Sequence, residues 1–204
     1  MNEQIKIDFE KTFKTSGLSE TDVNLKKKFL DKFILNGFPN RKLENWKFSD
    51  INQIIHKNIG ELSFFSDYSS SNKIDTSVFI DGLEHNKIVF INGRVEKIDF
   101  SYEDDDKIKL NETSETESEI KSFNSLVDLN NAFSSKIYKI SIKKDYHLKK
   151  PLVIYHTTNN KIKSKSINIR LKFELDQNSS LRLIDYNNHQ SEKNFMNIFY
   201  EFEL

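Results

Sequence analysis

The chain has 204 residues, of which 31 are acidic and 31 are basic, so its formal net charge is zero. This balance argues against a nucleic-acid-binding protein, because binding phosphates requires a concentrated basic surface. The sequence has no Cys, which excludes disulfides, thiolate metal sites and a cysteine nucleophile within these residues. No apolar run approaches the ~20 residues of a membrane span, and residues 1–9 lack the apolar core of a signal peptide. A soluble, cytoplasmic protein that binds neither nucleic acid nor membrane is therefore expected.

The first 60 residues have the apolar spacing of helices. Large apolar side chains recur every four positions between residues 5 and 13. Ser19 and Asp22 resemble a capping box at the start of a second helix, and Gly37 is a plausible end for it. A third helix is expected over residues 49–60. These patterns predict an N-terminal helical domain.

The domain boundaries follow from changes in composition. We assign residues 1–65 to the helical domain and residues 66–122 to a connecting region that begins with a polar, aperiodic stretch. Within that region Asn92 and Gly93 separate two short apolar runs, which is the strongest local signal for a β-hairpin. Residues 101–119 contain eight Asp or Glu without the spacing of a calcium loop, so a solvated acidic linker is expected.

Residues 123–204 read as a helix followed by five strands, and the strands are regularly spaced. The central aliphatic residues of the strands are 14, 15, 14 and 15 positions apart: Ile140, Ile154, Ile169, Leu183 and Ile198. Such a period indicates stacked structural repeats, as in a β-solenoid. An antiparallel sandwich or jelly roll also spaces its strands regularly and remains the alternative.

Two strands support further expectations. In residues 167–175 the apolar positions alternate with Asn168, Arg170, Lys172 and Glu174, which predicts one buried face and one solvent-facing side. In the last strand the alternation continues to Leu204 without a polar cap. An unfinished solenoid end would expose backbone groups, so this pattern predicts that the sequence is an incomplete piece of a longer protein.

The sequence offers no catalytic or metal-binding constellation. The five His residues have no metal-ligand spacing, and ordinary packing or surface roles are expected for them. With five Gly in the chain and no phosphate-binding motif, a nucleotide loop is not expected. We predict no catalytic, cofactor-binding or metal-binding residues, and hence a protein that is not an enzyme.

One short segment collects residue types that are rare in this sequence. The stretch GFPNRKLENWKFS contains the only Trp, one of the two Pro and one of the four Arg. It resembles a signature of the SufD family, a component of the SUF iron–sulfur cluster assembly complex. The matching positions are Gly37, Pro39, Arg41, Lys42, Glu44, Trp46 and Lys47, with Phe48 and Ser49 as conservative replacements.

The resemblance extends along the chain and implies a fold and a function. Three further passages are similar to SufD segments: KIVFINGRVEKI, FNSLVDLNNAFSSKIYKISIKKDYHLKKPLVIYHTTNN and LKFELDQNSSLRLIDYNN. In the last of them Asn178, Ser179 and Ser180 replace the usual small turn residues, and Asp185 stands where Glu is common. The family implies an α+β protein with an N-terminal helical domain followed by the first coils of a right-handed parallel β-helix. It also implies a scaffold that works with a SufB-like subunit and a SufC-like ATPase. The iron–sulfur cluster would belong to the full complex, and this chain alone would bind no cofactor.

The signature segment itself suggests a structural role. Trp46 is expected to anchor the segment through its large apolar area, and Arg41 is expected to contact Glu44 or to stack on Trp46. Direct contact with a partner is the alternative role. Two other functions stay open: a protein-interaction module unrelated to cluster assembly, and a β-solenoid that acts on carbohydrate.

Overall fold

The computed structural model describes residues 2–14, 16–65, 79–113, 124–159, 162–189 and 193–204. Within them the chain forms four α-helices, one short 3-10 helix and eight strands. In chain order the elements are α1 (Asn2–Lys14), α2 (Glu20–Asn36), the 3-10 helix (Glu44–Trp46), α3 (Ile51–Asn58), β1 (Asn86–Ile91), β2 (Arg94–Asp99), β3 (Ile108–Thr113), α4 (Ser125–Phe133), β4 (Ile137–Ile142), β5 (Leu152–Thr158), β6 (Ser166–Leu175), β7 (Leu183–His189) and β8 (Phe195–Glu203). None of the helices in this described part is long and apolar enough to cross a membrane.

The strands form two mixed sheets of four strands each. One sheet has the order β2-β1-β5-β7 and the other has the order β3-β4-β6-β8. Strands β1, β5 and β7 are parallel to one another, as are β4, β6 and β8. Strands β2 and β3 pair antiparallel at one edge of each sheet. The architecture is therefore α+β with two mixed sheets.

The expected right-handed parallel β-helix is wrong. From β4 to β8 each strand lies in the sheet opposite to the strand before it, so consecutive aliphatic residues of the 14–15-residue series are not hydrogen-bonded neighbours. Ile169, for example, pairs with Ile198 rather than with Ile154. The regular spacing arises because each interval contains one strand and one connection to the other sheet. The spacing therefore reflects a constant combined length of strand and connection, and it does not distinguish a β-solenoid from two sheets.

The larger core lies between the two sheets. The residues that fill it alternate along the strands with outward-facing ones, and those buried most completely are Ile88, Phe90, Ile140, Ile142, Leu152, Ile154, Ile169, Leu171 and Phe173. The predicted Asn92-Gly93 turn joins β1 to β2, and both residues have positive φ. At Gly93 a Cβ atom would lie 2.7 Å from Cγ2 of Ile167, so glycine is needed both for its conformation and for this close approach.

The polar side of β6 is buried, contrary to the expectation of a solvent-facing side. Asn168, Arg170 and Lys172 are 8%, 1% and 9% exposed. The reason is that α4 packs across β6 and β8. The Asn130 side-chain amide of α4 donates to the carbonyls of Ile169 and Asn197 at 2.9 and 2.8 Å. A helix thus covers this side, and its polar side chains have partners of their own: Arg170 donates to Asn131 of α4 at 3.3 Å and to Glu201 of β8 at 2.9 Å.

The N-terminal helices that the sequence predicts are present and form a second core with α4. Ser19 caps α2 by accepting a hydrogen bond from the Asp22 backbone N–H, and Gly37 ends the helix with φ +67°. Helix α3 begins at Ile51, where Asp50 rather than Ser49 provides the cap. The apolar side chains at the centre of this core are Ile5, Phe9, Phe13, Phe29, Leu30, Phe33, Leu129 and Phe133.

The first part of the acidic stretch (residues 101–119) is held in the fold by hydrogen bonds and is not a solvated linker. Its first carboxylate, Glu103, accepts hydrogen bonds from the Asn86 amide, the Tyr146 hydroxyl and the backbone N–H groups of Lys149 and Lys150. Burial raises the pKa of Glu103, but these hydrogen bonds outweigh burial and lower the pKa overall. The expected linker at residues 66–78 and the later acidic residues 114–123 lie outside the described residues.

A buried lysine joins α2 to the end of α4. The Lys26 ammonium group donates to the backbone carbonyls of Asn131 and Ser134 at 3.2 and 2.7 Å. These carbonyls belong to the last turn of α4 and to its cap, where a positive charge is favourable. Burial, and then the nearby Arg170 guanidinium, lowers the pKa of Lys26 to about 8.

We expect the contribution of Lys26 to stability to rise with pH. Its folded-state pKa is about 8 and its ordinary value is 10.5, so between these values the unfolded chain holds more protons than the folded protein. Relative to Lys26→Met, the free energy of unfolding of the unmodified protein should increase by on the order of 3 kcal/mol from pH 8 to pH 10.5. Urea denaturation of both proteins across this range measures the difference. A difference that is constant or that falls with pH would contradict a folded-state pKa of Lys26 that is lowered by burial.

Candidate functional site

The signature residues lie in the connection between α2 and α3, which we call the signature loop (residues 40–50). The backbone N–H of Ile51 donates to the carbonyl of Pro39 at 3.0 Å, so the two ends of the loop are held together. Inside the loop, the short 3-10 helix is continued by a hydrogen bond from the Ser49 N–H to the Trp46 carbonyl at 2.8 Å. The loop therefore has a defined backbone, pinned at its base.

The two residues before the loop have structural roles. Gly37 caps α2, and its N–H donates to the Phe33 carbonyl at 2.7 Å. Pro39 is buried. Because Pro has no backbone N–H, it cannot continue the helix, and the chain turns away from α2 at this point. The sequence-based role of this pair as a helix stop agrees with the structure.

The charged signature residues face solvent. Arg41, Lys42, Glu44 and Lys47 are exposed, and Trp46 is only half-buried. The expected contact of Arg41 with Glu44 does not form, because Glu44 pairs with Lys47 at 3.1 Å. Arg41 also makes no stacking contact with Trp46 within the described part of the chain. These side chains are therefore available to a partner, which favours the alternative role of the segment.

Two phenylalanines of the segment have opposite environments. Phe38 is 4% exposed and makes edge-to-face contacts with Phe33 of α2 and Phe195 of β8, at ring-centre distances of 5.1 and 5.6 Å. Phe48 is 86% exposed, with the Lys47 ammonium group 5.3 Å from its ring centre. Phe38 thus anchors the base of the signature loop to both the helices and the sheet, whereas Phe48 lies on the surface.

Two adjacent cavities open beside the signature loop. The first has a volume of about 330 Å³ and lies against α3, with Phe38, Ile55 and Leu62 as its apolar lining. The second, of about 480 Å³, is lined by polar groups that include Asn36, Asn40, Arg41 and Lys42. Both cavities contact Phe38 and Asn52. They therefore lie side by side, and we call the two together the signature groove. The first cavity is its apolar end, and the second, whose lining contains Arg41, Lys42 and Asp50, is its polar end.

The polar end of the signature groove carries a net positive charge. Its charged lining residues are Arg41, Lys42 and Asp50. The Asp50 carboxylate is engaged as the cap of α3, accepting from the Gln53 N–H at 2.9 Å. Neither the Arg41 nor the Lys42 side chain has an ion pair or hydrogen bond to another described residue. This end can therefore bind an anionic group such as a carboxylate.

Several groove residues were not identified from the sequence. Asn36, Asn40, Asp50 and Asn52 line the polar end, but single Asn residues in a chain rich in Asn carry no recognisable pattern. Asp50 could have been found from its position directly before the apolar run of α3, where a capping residue is expected. The convergence of α2, α3 and the loop on one groove depends on tertiary packing and leaves no local signal.

A second polar cluster lies between the sheets, next to β7 and β8. The Tyr200 hydroxyl donates to Asp185 Oδ2 at 2.6 Å, so its oxygen is free to accept from His156 Nε2 at 3.1 Å. Burial, and then the hydrogen bond and charge of Asp185, raises the pKa of Tyr200. His156 is fully buried and stacks on Phe90 at 5.2 Å. The cluster links β5 and β7 of one sheet to β8 of the other, from the buried His156 to the exposed Asp185.

The remaining histidines give no metal centre in the described structure. His56 and His147 are exposed, and the His189 side chain lies outside the described residues. His85 is buried; its Nδ1–H donates to the Leu83 carbonyl at 2.5 Å, and its Nε2 accepts from Tyr155 at 2.6 Å. Among the residues that the structure describes, no group of three or more His, Cys, Asp or Glu side chains could hold a metal ion.

No protein-family model matches the sequence, and no curated protein matches it.

The contrast between Phe38 and Phe48 can be tested by stability measurements. We expect Phe38→Ala to lower the free energy of unfolding by about 3–5 kcal/mol, because it removes a buried ring between α2 and β8. The matched variant Phe48→Ala should change it by less than about 0.5 kcal/mol, because that ring faces solvent. Urea denaturation measures both effects. Equal destabilisation by the two variants would contradict the exposed position of the signature loop.

Proposed function

We propose that this protein is a SufD-like, non-catalytic scaffold subunit that assists iron–sulfur cluster assembly in the cytoplasm. The observation that carries the proposal is the resemblance of residues 37–49 to the SufD signature, with its spacing intact. The similar passages in β1–β2 and from α4 to β5 support it. The proposed partners are a SufB-like subunit and a SufC-like ATPase.

The environment of the signature loop supports a role in assembly. Arg41, Lys42 and Lys47 are exposed rather than buried in a structural brace. Exposed cationic and aromatic side chains on a loop with a pinned base are typical of surfaces that contact other proteins. The loop is held by Phe38, so partner contact there would act on a surface of fixed position relative to the sheets.

The proposed role places the iron–sulfur cluster in the complex, as cargo. The sequence contains no Cys to provide thiolate ligands, which are the usual ligands of such clusters. The contribution of this chain would be to bind and orient the partner subunits during assembly. A protein-interaction module unrelated to cluster assembly is the second candidate, because the signature groove would serve that function equally well.

Co-expression tests the proposed function. The full chain carrying an affinity tag is produced together with the SufB-like and SufC-like proteins of the same genome, and the purified complex is analysed by size-exclusion chromatography and by its iron and sulfide content. We expect all three chains to co-elute in a complex that accumulates iron and sulfide. Phe48→Ala, which leaves the fold intact, tests whether the signature loop contributes to this association.

Failure of the full chain to associate with either partner would reject the scaffold function. Association without iron or sulfide in the complex would favour the second candidate, an interaction module outside cluster assembly. Co-expression with an unrelated ATPase provides the control for non-specific retention.

A further inference from the structure

We propose that the signature groove binds an extended peptide segment of a partner protein that carries an apolar side chain followed by carboxylates. The apolar side chain would enter the cavity against α3, and the carboxylates would contact Arg41 and Lys42. This inference rests on the groove and does not depend on a function in cluster assembly.

The shape of the groove is the first argument. Its two cavities, of about 330 and 480 Å³, meet at Phe38 and Asn52, so a ligand that fills both must be elongated. Each volume lies in the range of known ligand pockets. Asn52 is exposed at the junction, where its side-chain amide can donate to and accept from the backbone of a bound peptide.

The chemistry of the two ends is the second argument. Phe38, Ile55 and Leu62 give one end an apolar wall alongside polar residues such as Gln4 and His56, so an aliphatic or aromatic side chain can pack there. At the other end, Arg41 and Lys42 are adjacent in the sequence and exposed, while the Asp50 carboxylate is occupied by its cap interaction with α3. Carboxylates that follow the apolar side chain directly would complement these cations.

The distribution of charge favours a peptide over a nucleic acid. A nucleic-acid strand carries one negative charge on every nucleotide and would bring phosphates to both ends of the groove. The apolar end also contacts Glu61, so phosphates at that end would meet a carboxylate. A peptide can place its charges at Arg41 and Lys42 alone.

The third argument is the concentration of exposed apolar residues in the stretch of chain that forms the groove. Among the described residues, four of the nine large hydrophobic side chains that are exposed fall within residues 35–54, namely Leu35, Leu43, Phe48 and Ile54. A concentration of exposed apolar side chains in one short stretch of chain marks an interaction surface. The same stretch of chain contributes Phe38, Arg41 and Asn52 to the groove lining.

The test uses the full chain and two synthetic hexapeptides with a fluorescein label. The peptide SLFDES carries the apolar and acidic side chains, and SLFNQS is its uncharged counterpart. Binding is measured by fluorescence anisotropy, and the fluorescence of Trp46, the only tryptophan, reports whether the signature loop is involved. We expect saturable binding of SLFDES with a Kd below about 1 mM, a change in Trp46 fluorescence, and binding of SLFNQS weaker by about tenfold.

Matched variants locate the binding site. The double variant Arg41→Gln with Lys42→Gln should weaken SLFDES binding by about tenfold. The control Lys27→Gln with Lys28→Gln changes the net charge equally at two exposed positions of α2 and should leave binding within about twofold. Asn52→Trp, at the junction of the two cavities, should abolish binding in the anisotropy assay. Circular dichroism confirms that each variant is folded.

Several results would overturn the proposal. With the unmodified protein, these are the absence of saturable SLFDES binding up to about 2 mM and binding of SLFNQS as tight as that of SLFDES. With the variants, they are a loss of binding in the Lys27 and Lys28 control equal to that in the Arg41 and Lys42 variant, and unchanged binding of SLFDES by the Asn52→Trp variant. A labelled oligothymidine that binds more tightly than SLFDES would also overturn it and would indicate a nucleic-acid surface instead.

Discussion

The structure depends on one buried contact between helix and sheet, the side-chain amide of Asn130. This amide donates to the carbonyls of Ile169 in β6 and Asn197 in β8 and is fully buried. Asn197 in turn donates to the Leu126 carbonyl, so helix and strand exchange hydrogen bonds in both directions. Helix α4 also contributes Leu129 and other apolar residues to the core of the N-terminal helices. Because both sets of contacts are on one short helix, α4 couples the helical core to the sheets and covers the polar side of β6.

This coupling also sets the position of the signature groove. Phe38, at the base of the signature loop, packs between Phe33 of α2 and Phe195 at the start of β8. The groove is therefore attached to the same strand that α4 covers. A surface that binds a partner benefits from such support, because a groove that is already formed loses less conformational entropy when it binds. At the base of the loop, Gly37 and Pro39 end α2, whereas the loop itself exposes Arg41 and leaves Trp46 half-buried. The segment therefore combines Gly and Pro with Trp and Arg.

The sequence predicts the structural features that depend on neighbouring residues, and it fails to predict those that depend on contacts between distant parts of the chain. Ser19 and Gly37 mark the ends of α2, and Asn92-Gly93 marks the hairpin, because caps and turns are local interactions. The spacing of Ile140, Ile154 and Ile169 does not distinguish a coil from two sheets, because both keep strand and connection lengths constant. The alternation in β6 correctly separates two sides of the strand, but whether the polar side meets water or α4 depends on a helix some 40 residues earlier in the chain. The groove is missed for the same reason, since α2, α3 and the loop form it together.

The coupling by α4 is tested most directly by native-state hydrogen exchange of Asn130→Ala, with the exposed Asn58→Ala as the control. In the unmodified protein we expect amides of α1 and α2 and amides of β4 to β6 to share the highest free energy of opening, because they unfold together. Asn130→Ala removes both bridging hydrogen bonds, so the helical amides should open at a free energy lower by at least about 2 kcal/mol, while the sheet amides change less. Protection that is unchanged in the helices, or lowered equally by Asn58→Ala, would contradict the account.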